Sequence, residues 1–258
     1  MSTNPFKWIF ELISITSGGL TRMASSQLGL TFLAAIAITA LCAWICLHYV
    51  QLWNKRFRLT TTHKVLTALA CTLTFFFVLA YAGLSFMKEI TAIRISLWQT
   101  MIKLDHAWAR ETLAKTYDAV KEGGFEDFSR YPSPDSGVPI TKSESRLIAA
   151  EVNANEASRH FSEHHPFLSK IIWTHLELPT KIVKEDVEEY FKEPSNRIYP
   201  QERAIDLAAE HIKTQLMQQT PRVVTLSRIA LVLAFIIVQL IPFGLIGYAA
   251  YKDIKVLT

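Results

Sequence analysis

The 258-residue sequence predicts an all-α integral membrane protein, with three transmembrane helices and an all-helical soluble domain inserted between the second and third. Three observations predict it. Leu28–Val50, Val65–Met87 and Ile229–Tyr251 contain no Asp, Glu, Lys or Arg. Each meets the roughly 20 apolar residues that a helix needs to cross a bilayer. Charge is partitioned: 39 of 50 charged residues lie between Lys88 and Arg222 (18 basic, 21 acidic), leaving nine basic and two acidic groups elsewhere. Finally, apolar residues recur at helical spacing, with little alternation and no Asn-Gly hairpin signal.

The organisation that follows has four parts. Residues 1–27 form an N-terminal amphipathic segment and residues 28–87 a transmembrane hairpin (28–50, 65–87) with a basic link at 51–64. Residues 88–225 form the helical domain, and 226–258 the third span with a short tail. The averaged values, net charge +4 and pI near 8.9, hide a domain at −3 and a frame at +7. A disordered chain is excluded by the long apolar runs. A disulfide-built module is excluded because Cys42, Cys46 and Cys71 all lie inside such runs.

In the first segment Phe6, Ile9, Phe10 and Ile13 recur at helical spacing, with Trp8 nearby and Gly18–Gly19 as a stop. This suits a helix lying in the membrane interface. A cleaved signal peptide is the competing reading, and Glu11 interrupts its apolar stretch. Within the first span Thr31, Ala35, Thr39 and Ala43 make a small-residue stripe for helix packing. Cys42 and Cys46, one turn apart, with Cys71 in the next span, suit small apolar packing; metal or redox roles are the alternative. His48 is an interfacial histidine, since a bis-histidine haem needs a second intramembrane histidine that the spans lack.

Orientation rests on the link, where Lys55, Arg56, Arg58 and Lys64 have no acid among them and the opposite flank offers only Arg22. The positive-inside rule makes the link cytoplasmic, the N-terminus and residues 88–228 external, and the C-terminus internal after Lys252 and Lys255. Trp53, Tyr248 and Tyr251 fit the inner boundaries, while Arg222 and Arg228 leave the third span neutral on the matter. The expected location is a bacterial-type inner (plasma) membrane, multi-pass, with the large domain outside the cytoplasm.

From Val65 to Glu122 there is no proline, and Gly83 is the only glycine, which predicts that the second span continues as one helix to Gly123–Gly124. Its apolar seam is Ile90, Ile93, Leu97, Leu104 and Ala107, continued by Leu113, Tyr117 and Val120. Such a seam needs a partner, either in the same domain or in a second copy. A proline-rich loop over Gly123–Thr141 (Pro132, Pro134, Pro139) follows. A helix over Lys142–His164 presents Leu147, Ala150, Ala154, Ala157 and Phe161, and Phe167–Leu178 is a short apolar helix. Thr180 caps a helix with Ile182, Val183, Val187, Tyr190 and Phe191. Glu202–Gln219 presents Ile205, Ala208, Ile212 and Leu216 before Pro221 leads into the third span. There Gly244 and Gly247 are packing candidates, and Pro242 cannot donate to Val238.

The sharpest chemical motif is His160-x-x-Glu163-His164, which fits the inverted zinc-protease pattern H-x-x-E-H. His160 and His164 would stand one turn apart as metal ligands with Glu163 as general base. The family with this pattern carries a further glutamate ligand, and no downstream glutamate here is marked out for that role. A polar helix end before Pro166 accounts for the same residues. No metal, cofactor or catalytic residue is therefore assigned. The spans hold only Gln239 as a strongly polar side chain, which argues against an ion-coupled transporter. No G-x-G-x-x-G or G-K-[ST] loop occurs, so no nucleotide or nucleic-acid partner is expected.

No family signature covers the whole chain. The last span and its exit, Ser227–Lys255, resemble membrane proteins of conjugative elements over some 30 residues of common membrane composition. The resemblance implies a place in a secretion or conjugation assembly. The leading expectation is a non-enzymatic membrane subunit that assembles, through its external helical domain, with copies of itself or with an envelope complex. The alternatives are a membrane sensor acting through a cytoplasmic partner, and a membrane-tethered zinc hydrolase. Besides the lipid bilayer, the expected partners are second copies or other envelope proteins.

Overall fold

Every regular element among the described residues is a helix. The computed structural model describes residues 6–52, 54–55, 57–124, 143–172, 176–196 and 199–257. Trp53, Arg56 and the prolines Pro132, Pro134 and Pro139 lie outside the described residues. The helices are α1 (Lys7–Thr21), α2 (Ser25–His48), α3 (Thr61–Gly83), α4 (Met87–Lys103), α5 (His106–Glu122), α6 (Ser143–His164), α7 (Pro166–Ile171), α8 (Thr180–Tyr190) and α9 (Gln201–Leu257). Tyr49–Leu52 and Leu84–Phe86 are 3-10 turns. Among the described residues, three helical stretches are long and apolar enough to cross a membrane: Ser25–Leu52, Thr61–Lys103 and Gln201–Asp253.

The chain divides into two compact units. The polar unit comprises Met1–Leu12 and Lys88–Thr220, the apolar unit Ile13–Met87 and Pro221–Thr258.

In the polar unit the core is formed by Trp98, Ile102, Val120, Phe161, Leu168, Ile205, Ile212 and Leu216, all fully buried. The expected face of α6 is the one used: Ala150, Ala154, Ala157 and Phe161 are inaccessible. So is the expected face of α9, Ile205, Ala208, Ile212 and Leu216. Gln99 Nε2 donates to Asp206 Oδ1 (2.7 Å), and Gln201 Nε2 to the Ala109 carbonyl (3.3 Å), fixing the start of α9 against α4 and α5. Tyr199, just before α9, and Arg203, in its first turn, converge on Asp186 of α8.

Six sequence expectations shift here. Two concern helix ends: α1 runs through Gly18–Gly19, its expected stop, to Thr21, and the short helix expected over Phe167–Leu178 ends at Ile171. The predicted continuous helix is broken twice, by the turn Leu84–Phe86 and at Leu104–Asp105. At the second break Asp105 Oδ1 accepts the backbone N–H groups of Ala107 and Trp108, both at 3.0 Å, and so starts a new helix as its N-cap. Ile90 of the expected seam is buried on α4, with Thr91, Ile95, Trp98 and Ile102, whereas Leu97 and Leu104 of that seam are exposed. The indole of Trp98 carries more apolar area than either leucine, and burial follows area. Pro179, with no side-chain cap, precedes α8 where Thr180 was expected to cap it. Lastly, α9 is one 57-residue helix containing both Pro221 and Pro242.

In the apolar unit the usual pattern is inverted. Many buried span positions are small or polar, including Ala35, Cys46, Ala70, Cys71 and Thr74, beside a few large ones such as Leu79 and Ile246, while Leu30, Leu33, Trp44 and Leu240 are exposed. This is how helices pack when lipid supplies the apolar surroundings and close backbone approach supplies the contact. Gly19 and Gly83 mark the tightest approach: a Cβ on either would collide with backbone, that of Gly83 or of Thr16 respectively. At one end Val50, Ile246 and Ala250 cluster under Tyr49, Phe57 and Leu59.

Candidate functional site

The H-x-x-E-H residues line a half-open cleft of about 400 Å³ in the polar unit, with Asp105, Trp108, Glu111, Glu156 and Arg159. Helical spacing on α6 puts the rings of His160 and His164 in a stack, centroids 4.0 Å apart and planes 23° from parallel. Trp98 Nε1 donates to His160 Nδ1 across 3.0 Å inside the core. A nitrogen that accepts carries no proton, so neutral His160 holds its proton on Nε2, which faces Asp105 Oδ2 at 3.9 Å. His164 Nδ1 stands 2.9 Å from the His160 carbonyl, which can only accept, so His164 carries its proton on Nδ1. The lone pair of neutral His164 is therefore on Nε2.

Burial pushes His160 below its ordinary pKa of 6.5; His164 adds to this, and the nearby Asp105 and Glu163 oppose it. The Asp105 carboxyl is held below its ordinary range first by the Trp108 N–H, against some desolvation, then by Ala107 N–H and the two histidines. Beside them, Lys115 Nζ sits 2.9 Å from both Glu111 and Glu156, and Arg159 reaches Glu156 at 2.5 Å. These four charges offset one another. Asp105 Oδ2, Glu163 and His164 Nε2 remain as an acceptor-rich wall beside the Trp108 ring. Such a wall suits a ligand that donates hydrogen bonds or carries positive charge.

As a metal centre the arrangement is limited by Trp98, which occupies His160 Nδ1. Among the described residues, no three His, Cys, Asp or Glu groups stand where they could hold one ion.

Glu11, read in the sequence only as an interruption, is buried in the polar unit. Its Oε1 accepts from His165 Nδ1 (2.9 Å) and its Oε2 from the Phe167 backbone N–H (2.6 Å), with Arg94 at 4.0 Å. Pro166 opens α7, so the Phe167 N–H has no helical partner, and Glu11 supplies one. Asp105 had a legible signal, an Asp just ahead of a helical run. Glu11 had none, because its hydrogen-bond partners lie more than 150 residues away.

The small-residue stripe lies on the inward side of α2, which packs chiefly on α3: Ala35 is inaccessible and Thr31, Thr39 and Ala43 are half-buried. The two glycines of the third span separate. A Cβ on Gly247 would meet the Tyr49 hydroxyl at 2.9 Å, whereas Gly244 faces open space. Tyr49 stacks on Phe243 (3.9 Å) and its hydroxyl donates to the Phe243 carbonyl. Of the basic link, Lys55, Arg58 and Lys64 are exposed. Asn54 Nδ2, just before them, donates to the Ala250 carbonyl (3.4 Å) and to Asp253 (3.5 Å). The link and the C-terminal end of α9 thus share one end of the apolar unit.

No protein-family model matches the chain, and neither a curated protein nor a solved structure matches it.

Proposed function

We propose that the chain is a non-enzymatic integral membrane subunit whose polar unit lies outside the cytoplasm and assembles with further copies of the chain or with an envelope complex of the secretion or conjugation kind. One observation carries the reading. On α4 Leu97 and Met101 are 64% and 47% exposed, and Leu104 in the turn just beyond it 70%, away from the buried Ile95, Trp98 and Ile102. Ile93 extends the row, half-buried. A contiguous apolar row on an otherwise charged unit marks an association surface. Its steps of four, four and three residues suit a helical partner. The shared end of the basic link and the α9 terminus agrees with a topology in which both are cytoplasmic.

The test is the mass of the detergent-solubilised chain by light scattering, with and without Leu97→Glu and Leu104→Glu. A complex that falls to monomer in the double variant supports the reading; a monomeric, partnerless native chain overturns it.

The acceptor-rich cleft favours a second reading, a sensor for a cationic ligand acting through a cytoplasmic partner. A rise in melting temperature with an amine, lost in Asp105→Asn, would favour it over pure assembly.

A further inference from the structure

The apolar unit has a groove of about 250 Å³ between three helices, lined by Ile38 of α2, Phe77, Val78 and Tyr81 of α3, and Val232 and Phe235 of α9. At one end stands Arg228. Its guanidinium carbon lies 4.8 Å from the centre of the Tyr81 ring, and its Nη2 donates to Ser85 Oγ at 2.6 Å. Among the described residues its buried Nε has no hydrogen-bond partner. Arg228, Val232 and Phe235 follow one another at four and three residues on a single face of α9, so the groove runs about 10 Å from the cation at a rise of roughly 1.5 Å per residue.

We propose that this groove and Arg228 form a binding site for one anionic phospholipid, an acyl chain filling the groove and the phosphate resting on the guanidinium. The proposal rests on the reading of the three apolar helices as membrane spans. Within a bilayer such a groove is filled by hydrocarbon, because a water there needs two to four polar partners and the lining offers only the Tyr81 hydroxyl. The cation selects the headgroup. Among the described residues Arg228 has no carboxylate within ion-pair distance. A guanidinium at an apolar rim is costly until an anion meets it, and a phosphate matches its forked donors. Tyr81 and Ser85 hold the side chain at the groove mouth, so one ligand can reach both parts.

Native mass spectrometry of the full chain in detergent tests this, using phosphatidylglycerol and phosphatidylcholine with identical chains, and inorganic phosphate as a third probe. Phosphatidylglycerol is expected to bind about fivefold more tightly than phosphatidylcholine, the preference one basic group gives. Arg228→Gln should erase that preference. Val232→Trp, which fills the groove and leaves the Arg228–Ser85 bond in place, should remove both adducts while circular dichroism stays unchanged. Equal binding of the two lipids by the native chain overturns the proposal, as does a preference that survives both variants. Displacement of the lipid by millimolar inorganic phosphate would also overturn it, because the groove would then contribute nothing. Membranes carrying the chain are first washed with alkaline carbonate. Extraction there refutes the span reading, whereas a retained chain without lipid preference refutes the lipid site alone.

Discussion

Trp98 donates its indole N–H to Nδ1 of His160 at 3.0 Å, and the pair joins α4 to α6 at the edge of the core. Phe161 meets the same indole edge-on, ring centroids 5.2 Å apart. The bond fixes the His160 tautomer and turns Nε2 toward Asp105. Trp98→Phe keeps most of the apolar volume and leaves a buried acceptor unmet, at a cost of about 1–3 kcal/mol. Denaturant unfolding of the polar unit in the full-length chain is the measurement, and ¹⁵N shifts of His160 should show the tautomer loosened.

The same burial makes the polar unit sensitive to acid. His160 titrates below 6.5 when folded and near its ordinary value when unfolded, so the unfolded chain takes up the proton first. Stability is therefore complete above about pH 6.5 and declines as the pH falls below it toward the folded value. The charged groups facing the ring are Asp105 at the start of α5 and His164, Glu163 and His165 from α6 and its end. His160→Gln should flatten the decline below about pH 6.5 in melting curves taken as the solution is acidified. A slope unchanged in that variant would assign the acid sensitivity to other groups.

The glycine pair tells a different story about backbone approach. A side chain at Gly83 would run into the Thr16 carbonyl, and one at Gly19 into that of Gly83, so α1 and α3 touch main chain to main chain. Gly83→Val is expected to destabilise by about 1–3 kcal/mol as an overpacked contact. Gly244→Val, facing open space, should change melting in detergent much less. Equal effects of the two would mean that helix propensity, not contact, dominates.

How far these features were visible in the sequence depends on the range of the force behind each. The spans were plain because lipid tolerates no unpaired charge over a whole crossing, and that constraint acts on composition. Ala150, Ala154, Ala157 and Phe161 were readable as one face because α6 has no competing apolar stripe. On α4 two stripes compete. Counting periodicity weighs Leu97 and Trp98 alike, whereas packing buries the larger surface, so Ile90 of the predicted seam is buried but Leu97 and Leu104 are left exposed. The break at Asp105 involves neither Pro nor Gly: a side-chain cap ends one helix and starts another just as well. In the histidine cleft the spacing of His160 and His164 was legible. Trp98 and Asp105, which decide what those nitrogens can do, come from another part of the chain.

Gln239 offers the most direct test of what holds the apolar unit together. It is the strongly polar side chain of the third span, and it reaches two other helices at once. Its Nε2 donates to the Ala70 carbonyl (3.3 Å) and to the Thr74 hydroxyl on α3, while the Cys46 thiol of α2 lies 3.9 Å from its Oε1 as a weak donor. Thr74 already donates to the Ala70 carbonyl at 2.8 Å, so it loses an interaction, not its last partner, when Gln239 is removed. Interhelical hydrogen bonds within membranes average about 0.6 kcal/mol, with a maximum near 1.7, because helices apart in lipid also find partners. Gln239→Leu should therefore weaken helix association by about 1 kcal/mol and leave helix content intact, read as lower resistance to denaturing detergent at constant circular dichroism. Gln239→Asn, one methylene shorter, tests reach: a loss equal to that of the leucine variant is expected if contact with both helices requires the full side chain. A stabilising Gln239→Leu would mean that the cost of burying the amide exceeds what its bonds return, and the unit would then be held by the Gly19–Gly83 contact and the Tyr49–Phe243 stack instead.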